Sequence, residues 1–299
     1  MKLRNLLILL TVSIFTLSVF AQDYHAQFQT YCEKNEYANQ LKVLNEWEKV
    51  SPKDPELFTS YFNYYFLKSK KEGITMSKAE PEGDSFVLKD SSNNVAGYLG
   101  SQIHYDIPEL KKAIEKINTG IDLYPNRLDM RFGKIYVFAQ IKDWEKFTNE
   151  ILITIKYSAT NNNNWTWTNN EKQENGEDFF LLSLQDYQLM LYDTGDNNLL
   201  INMREIAKEI LIYYPNNIES FSNLSVTYLL TGEYDKGIET LLKAEKINPE
   251  DYIVLSNIAR GYTLKRNKEK AIEYYEKTFK FGDEQAKVFA KKRIAELKK

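Results

Sequence analysis

The chain has 299 residues, 43% of them hydrophobic and 14% aromatic, which is enough apolar material for a buried core and excludes a disordered chain. Its 39 basic and 42 acidic residues leave a net charge of −3, so no overall positive field favours nucleic acid. The single cysteine cannot form an internal disulfide, and packing must therefore hold the fold.

The N-terminus has the three parts of a secretory signal. Lys2 and Arg4 precede an uncharged apolar run over residues 6–20, and Ala21 follows it. At ~1.5 Å per residue this run spans about 22 Å as a helix, short of the roughly 30 Å of a bilayer core. We therefore expect residues 1–21 to be a signal peptide cut after Ala21, and the chain to be periplasmic or secreted with no membrane span. An uncleaved anchor is the alternative, whereas Cys32 lies too far beyond the cut for lipid attachment.

Amphipathic runs along the chain end close to prolines, as expected when proline stops a helix. They are residues 39–50 before Pro52, 107–124 before Pro125, 199–214 before Pro215 and 236–247 before Pro249. The wider spacings leave room for two insertions, about residues 71–105 and 159–178. In the first, apolar runs at residues 86–88 and 95–99 flank a polar stretch, which predicts a loop that can hold a short β-hairpin.

Segments 218–251 and 252–284 repeat one pattern of bulky and small residues. When the two segments are aligned with a shift of 34 residues, the bulky positions of the first helix coincide: Phe221, Leu224 and Tyr228 with Leu255, Ile258 and Tyr262. The positions of the second helix coincide in the same way: Gly237, Leu241 and Ala244 with Ala271, Tyr275 and Thr278. Each segment predicts two helices joined by a polar turn. The small residue early in the second helix lets the two helix backbones approach.

This pattern resembles the tetratricopeptide repeat, W-x2-L-G-x2-Y followed by A-x3-F and then A and P. Phe221 stands at the Trp position, Leu224 and Tyr228 match, Ser225 and Gly237 replace the Gly and the first Ala, and Pro249 closes the unit. The resemblance implies an all-α fold for residues 22–299: an α-solenoid, a right-handed superhelix of about six helical hairpins with the two insertions. A capping helix is expected at residues 285–297. The unit around Tyr187 and Met203 fits least well, because Met203 and Ala207 have exchanged sizes.

The residue inventory predicts no catalytic residue, no cofactor and no metal site. The two histidines, His25 and His104, lack the partners and spacing that a zinc site requires. Cys32 lies in the first predicted helical run and is interpreted as a packing residue. A hydrolase with a hidden carboxylate pair remains an alternative, because 42 acidic residues allow many pairs and only the fold decides which of them converge.

The resemblance further implies that the first helix of each hairpin lines a concave groove that holds a protein or peptide. The residues expected to bind the partner are Asn63, Tyr136, Ser222, Asn223, Ser256, Asn257 and Arg260. A carboxamide can donate to and accept from an extended backbone at once, or it can bond only to its own helix or to water. We expect a monomeric, non-catalytic interaction scaffold of the bacterial cell envelope.

Trp165 and Trp167 lie in the second insertion behind a run of asparagines. In an extended chain, side chains two residues apart point the same way, so the pair could stack on a sugar ring. Glycan or small-molecule binding by this loop is therefore the alternative function. The pair could equally fold back and cover the edges of the repeats.

Overall fold

A computed structural model describes residues 23–80 and 84–299, and the expected signal peptide lies outside them. The chain forms two compact units. The first runs to Ile141 and takes in Trp165–Lys172, and the second comprises Lys142–Asn164 and Gln173–Lys299. No helix in the described ranges is long and apolar enough to cross a membrane.

The first unit contains five helices and one small sheet among its described residues. They are α1 within residues 23–33, α2 (Tyr37–Val50), α3 (Pro55–Ser69), β1 (Lys70–Ser77), β2 (Ser85–Lys89), β3 (Val95–Tyr105), α4 (Ile107–Leu123) and α5 (Leu128–Gln140). A short 3-10 turn at Thr168–Asn170 belongs to the same unit.

The described residues of the second unit form helices and the turns that connect them, with no strand among them. Its helices are α6 (Trp144–Asn161), α7 (Gly176–Asp193), α8 (Leu200–Tyr213), α9 (Ile218–Leu230), α10 (Tyr234–Ile247), α11 (Tyr252–Leu264), α12 (Lys268–Phe281) and α13 (Glu284–Lys298). A 3-10 turn, Asn197–Leu199, precedes α8. The prediction of an all-α repeat fold with a β element in the first insertion is confirmed.

Several helices end close to prolines, as predicted from the sequence, and several begin at a capping Asp or Asn. Helices α2, α4, α8 and α10 each end two residues before Pro52, Pro125, Pro215 and Pro249. At helix starts, an Asp or Asn side chain accepts a hydrogen bond from a backbone N–H of the first turn, as at Asp54, Asp106, Asn217 and Asp251. Such caps satisfy donors that have no partner within the helix.

The first insertion is a three-stranded antiparallel sheet in the order β1-β3-β2. The β2-β3 hairpin matches the predicted one, but β1 was not predicted, because its only large apolar residues are Ile74 and Met76. Two alternating residues are too short a period to indicate a strand without its partner. Gly97 in β3 is required at its position, since a Cβ there would lie 2.9 Å from the Ser77 carbonyl oxygen.

The second insertion is shorter than predicted. Helix α6 continues to Asn161 and α7 begins at Gly176, so the irregular segment covers residues 162–175 rather than 159–178. Asn162 ends α6 with a positive φ of 50°, a conformation that asparagine tolerates better than most residues.

The helical hairpins pack through buried clusters of side chains that come from several helices. Leu241, Leu255, Ile258 and Tyr275 share one core in the second unit with Ala290 of α13. In the first unit, Phe62, Ile117 and Met130 join α3, α4 and α5. The bulky residues therefore fill the spaces between helices as the repeat pattern predicts.

Two glycines set the approach of α9 and α11 to α10. A Cβ on Gly237 would lie 2.8 Å from Leu229 Cδ2, and a Cβ on Gly261 would lie 2.7 Å from Ile238 Cγ1. Neither position has room for even one methyl group. The expectation that a small residue in the second helix allows close packing is confirmed at Gly237.

We expect Gly261→Ala to lower the free energy of unfolding by about 1 to 3 kcal/mol, because overpacking against Ile238 outweighs the ~1 kcal/mol that alanine gains in helix propensity. Thermal unfolding followed by circular dichroism measures the change. In an Ile238→Ala background the same substitution should become neutral or stabilising. An equal loss in both backgrounds would contradict the steric explanation.

Candidate partner-binding surface

Four of the predicted partner-binding residues occupy equivalent places on two neighbouring helices. Ser222 and Asn223 lie on α9, and Ser256 and Asn257 lie 34 residues later on α11. All four side chains are half-buried, and none makes a hydrogen bond to another described residue. The two carboxamides therefore keep their full donor and acceptor capacity.

Side chains cap the N-terminal ends of helices α9 and α11. The Asn217 side chain accepts from Ser220 N at 2.8 Å, and the Asp251 side chain accepts from Ile253 N at 3.0 Å and Val254 N at 3.1 Å. The close contacts of Gly237 and Gly261 hold both helices against α10. The amides are thus presented from rigid elements.

Apolar and cationic groups flank the amides at helical spacing. Leu230 and Leu264 each lie seven residues beyond an asparagine, on the same helix face, and are 41% and 38% exposed. Arg260 is exposed and makes no ion pair with a described residue. The sequence analysis did not select the two leucines, because they resemble core positions; their recurrence at a spacing of 34 is the signal that could have identified them.

Asn63 and Tyr136, the other two predicted residues on first helices, lie in the first unit. Asn63 is exposed on α3 and makes no hydrogen bond with a described residue. Tyr136 on α5 is 48% exposed, and its ring lies edge-on to Phe66 at 6.3 Å. They mark the first helices of two successive predicted hairpins, α3 and α5.

The tryptophans of the second insertion face the protein. We name residues 165–172 the strap. Trp165 is fully buried, and the half-buried Trp167 contacts Phe132 of α5 edge-on at 6.2 Å. These contacts favour the alternative in which the pair covers the repeats.

The strap is also bonded through its backbone. Thr166 N donates to Asn126 O at 2.9 Å, and Leu128 N donates to Thr166 O at 3.0 Å. The strap therefore runs beside the turn that leads into α5. The backbone groups in these two hydrogen bonds are already paired and are not available to an extended peptide ligand.

A buried ion cluster anchors this arrangement. Arg127 is 1% exposed and donates to Glu56 Oε1 at 2.6 Å and, through two nitrogens, to Asp129 at 2.7 and 2.8 Å. Glu56 Oε1 also accepts from the strap at Asn169 N, at 2.8 Å. Helix α3, the start of α5 and the strap thus meet at one guanidinium.

Two carboxylates, Glu56 and Asp129, share the one cation of this cluster, Arg127, and all three side chains are largely removed from water. Burial lowers the pKa of Arg127, but hydrogen bonds to Asp129 and Glu56 raise it further, so the net shift is upward and the guanidinium stays charged. The sequence analysis did not select Arg127. An acid two residues later, Asp129, was the available signal.

Cys32, His25 and His104 lie in different surroundings in the described part of the chain. Burial raises the pKa of the half-buried Cys32 thiol, which disfavours the thiolate. His25 contacts the Trp47 ring at 5.9 Å, and His104 lies in β3 opposite Lys71. Over residues 23–80 and 84–299, no group of three or more His, Cys, Asp or Glu side chains is placed to hold a metal ion.

We expect Arg127→Met to lower the free energy of unfolding of the first unit by about 3 to 5 kcal/mol, because Glu56 would remain buried without its cation. Urea unfolding followed by tryptophan fluorescence measures it, since Trp47, Trp165 and Trp167 all lie in that unit. Adding Glu56→Gln should recover part of the loss, and the exposed Lys111→Met should change stability by less than about 0.5 kcal/mol. Equal effects of Arg127→Met and Lys111→Met would contradict this role.

Comparison with known proteins places the α9–α10 hairpin in a family. Residues 218–251 match the model of the tetratricopeptide repeat. No curated protein sequence matches the chain. Among solved structures, it is similar to YrrB, a tetratricopeptide-repeat protein with an unusual peptide-binding site, at 14% identity over 83% of this chain and 97% of that one, with a TM-score of 0.41.

A second similar structure is the C-terminal part of a repeat-containing protein from Cytophaga hutchinsonii, at 14% identity over 86% of this chain and 78% of that one, with a TM-score of 0.42. The Sgt2 repeat domain from Aspergillus fumigatus has 19% identity over 38% of this chain and 78% of that one, with a TM-score of 0.33. The matched repeat at residues 218–251 coincides with the helical hairpin that the structure forms there. Residues 218–251 therefore form a tetratricopeptide repeat.

Proposed function

We propose that this protein is a non-catalytic interaction scaffold of the bacterial cell envelope, and that it binds an extended segment of a partner protein across α9 and α11. The observation that carries the proposal is the pair Asn223 and Asn257. They stand at the same repeat position on adjacent helices, half-exposed and without hydrogen-bond partners among the described residues. Unused carboxamides at this spacing suit a peptide backbone.

The geometry of helix packing sets the spacing of the contacts on the ligand. Neighbouring helices lie about 8 to 10 Å apart, and an extended chain rises about 3.3 Å per residue. Asn223 and Asn257 therefore suit backbone groups about three residues apart. Leu230 and Leu264 offer apolar contact beside them, and Arg260 favours an acidic or carboxylate group nearby.

The two alternatives receive less support. Stacking on a sugar requires a free ring face, whereas Trp165 is fully buried and Trp167 packs against Phe132. Glu56 and Asp129 are carboxylates that converge, but both are bonded to the buried Arg127. A carboxylate held in this way is a poor acid or base for hydrolysis.

Crosslinking capture from native cell envelopes, followed by mass spectrometry, should retain a protein partner that is lost with the triple substitution Asn223→Ala, Asn257→Ala and Arg260→Ala. A peptide taken from the crosslinked partner segment should bind the wild-type chain in a fluorescence anisotropy titration. The Asn223→Ala, Asn257→Ala double variant should weaken this binding by about 5- to 150-fold, since each lost hydrogen bond costs about 0.5 to 1.5 kcal/mol.

The matched control changes exposed residues on the second helices, Glu239→Ala, Lys243→Ala and Glu276→Ala. It should leave both capture and peptide affinity unchanged. Retention of the same partner by the α9–α11 triple variant, or its loss in the control, would contradict the proposed surface.

A further inference from the structure

The sheet of the first insertion has one mainly polar face and one mainly apolar face. The mainly apolar face also carries Ser101, which donates to Glu72 Oε1 at 2.7 Å. Cross-strand pairing puts Met76, Leu99 and Phe86 in one row, with Leu99 in the middle. Ile74 and Ile103 lie on the same face because they are separated from this row by an even number of residues along their strands. We call these five residues the apolar sheet face.

The opposite face carries mainly polar and small residues. Lys71 pairs with His104, Gly73 with Gln102, and Thr75 with Gly100. Antiparallel sheets with this alternation normally turn the apolar face to a core and the polar face to water. The sequence of the sheet therefore predicts a covered apolar face.

The apolar sheet face remains in contact with solvent. Ile74 is 78% exposed, Met76 72% and Phe86 78%, and Ile103 is 45% exposed. A contiguous group of large apolar side chains at these exposures is typical of an interaction surface.

We propose that this face is covered by the same face of a second copy of the chain, in a symmetric, reversible dimer. Residues 70–80 and 84–94 contain four lysines and four acidic residues, so two copies of the sheet meet without net repulsion. The same balance gives no attraction to an anionic lipid surface, which requires a cluster of basic residues.

The size of the face agrees with a weak dimer. A large apolar side chain offers roughly 60 to 120 Å² for burial. Five such side chains therefore supply on the order of 500 Å² per copy. Two copies together bury on the order of 1,000 Å², the lower limit for a specific interface. Two-fold pairing uses the same patch on both copies, and packed sheets lie about 10 Å apart.

Sedimentation velocity of the purified protein over a concentration series tests the proposal. The mass should double with a dissociation constant on the order of 10 to 100 µM, as expected for a small interface. Phe86→Glu should raise this constant at least about tenfold, since it places a charge in the buried row. Circular dichroism should show that the variant keeps its helical content and unfolding temperature, because Phe86 is an exposed residue.

The matched control is Val87→Glu, the neighbouring residue on the opposite face, which is 48% exposed. It should dimerise like the wild type. A wild-type chain that stays monomeric up to about 0.5 mM, well above the expected dissociation constant, would overturn the proposal. A dimer that survives Phe86→Glu, or one that Val87→Glu abolishes equally, would also overturn it.

Cosedimentation with vesicles of phosphatidylcholine and phosphatidylglycerol separates a lipid surface from a second copy. The wild-type protein should remain in the supernatant. Vesicle binding that Phe86→Glu abolishes, by a protein that is monomeric without lipid, would assign the face to a membrane and overturn the dimer.

Discussion

A helical hairpin of this size buries only one side of each helix by itself, and the remaining apolar stripe must be covered by the next hairpin. This constraint explains the close contacts of the second unit, where Gly237 and Gly261 bring α9 and α11 against α10 without room for a methyl group. It also explains why the half-exposed polar side chains of Asn223 and Asn257 recur together. When one repeat stacks on the next, equivalent positions of successive first helices become neighbours, and a face that packing does not use is repeated.

In the first unit, the strap also covers helices. The strap lies over α3 and α5 and is held by the buried Arg127, whose carboxylate partners come from α3 and α5.

One arrangement of hydrogen-bonded side chains occurs twice in the chain. Glu48 accepts from Tyr61 and Lys116, and Glu245 accepts from Tyr274 and Lys277. In both, the lysine lies over the tyrosine ring, at 3.9 and 4.1 Å, so one charge serves an ion pair and a cation–π contact.

The proposed partner surface and the proposed dimer face differ in their chemistry. Across α9 and α11, amides and an arginine lie beside leucines, which suits an extended backbone with mixed side chains. On the sheet, only apolar side chains form the row, which suits burial against another apolar sheet. Each surface can therefore be tested by substitutions that do not alter the other.

The sequence by itself determined the repeat of 34 residues, the helix ends at prolines and capping residues, and the equivalence of Asn223 and Asn257, because these depend on local propensity and on a periodic pattern. It did not reveal β1, the burial of Trp165 or the exposure of the apolar sheet face. Only the tertiary structure decided these features, since they depend on contacts between distant parts of the chain. Arg127 bonds Glu56 across 71 residues, and the strap reaches Glu56 across 113. No local pattern records which charges meet over such separations, because each of these residues alone looks like an ordinary surface residue.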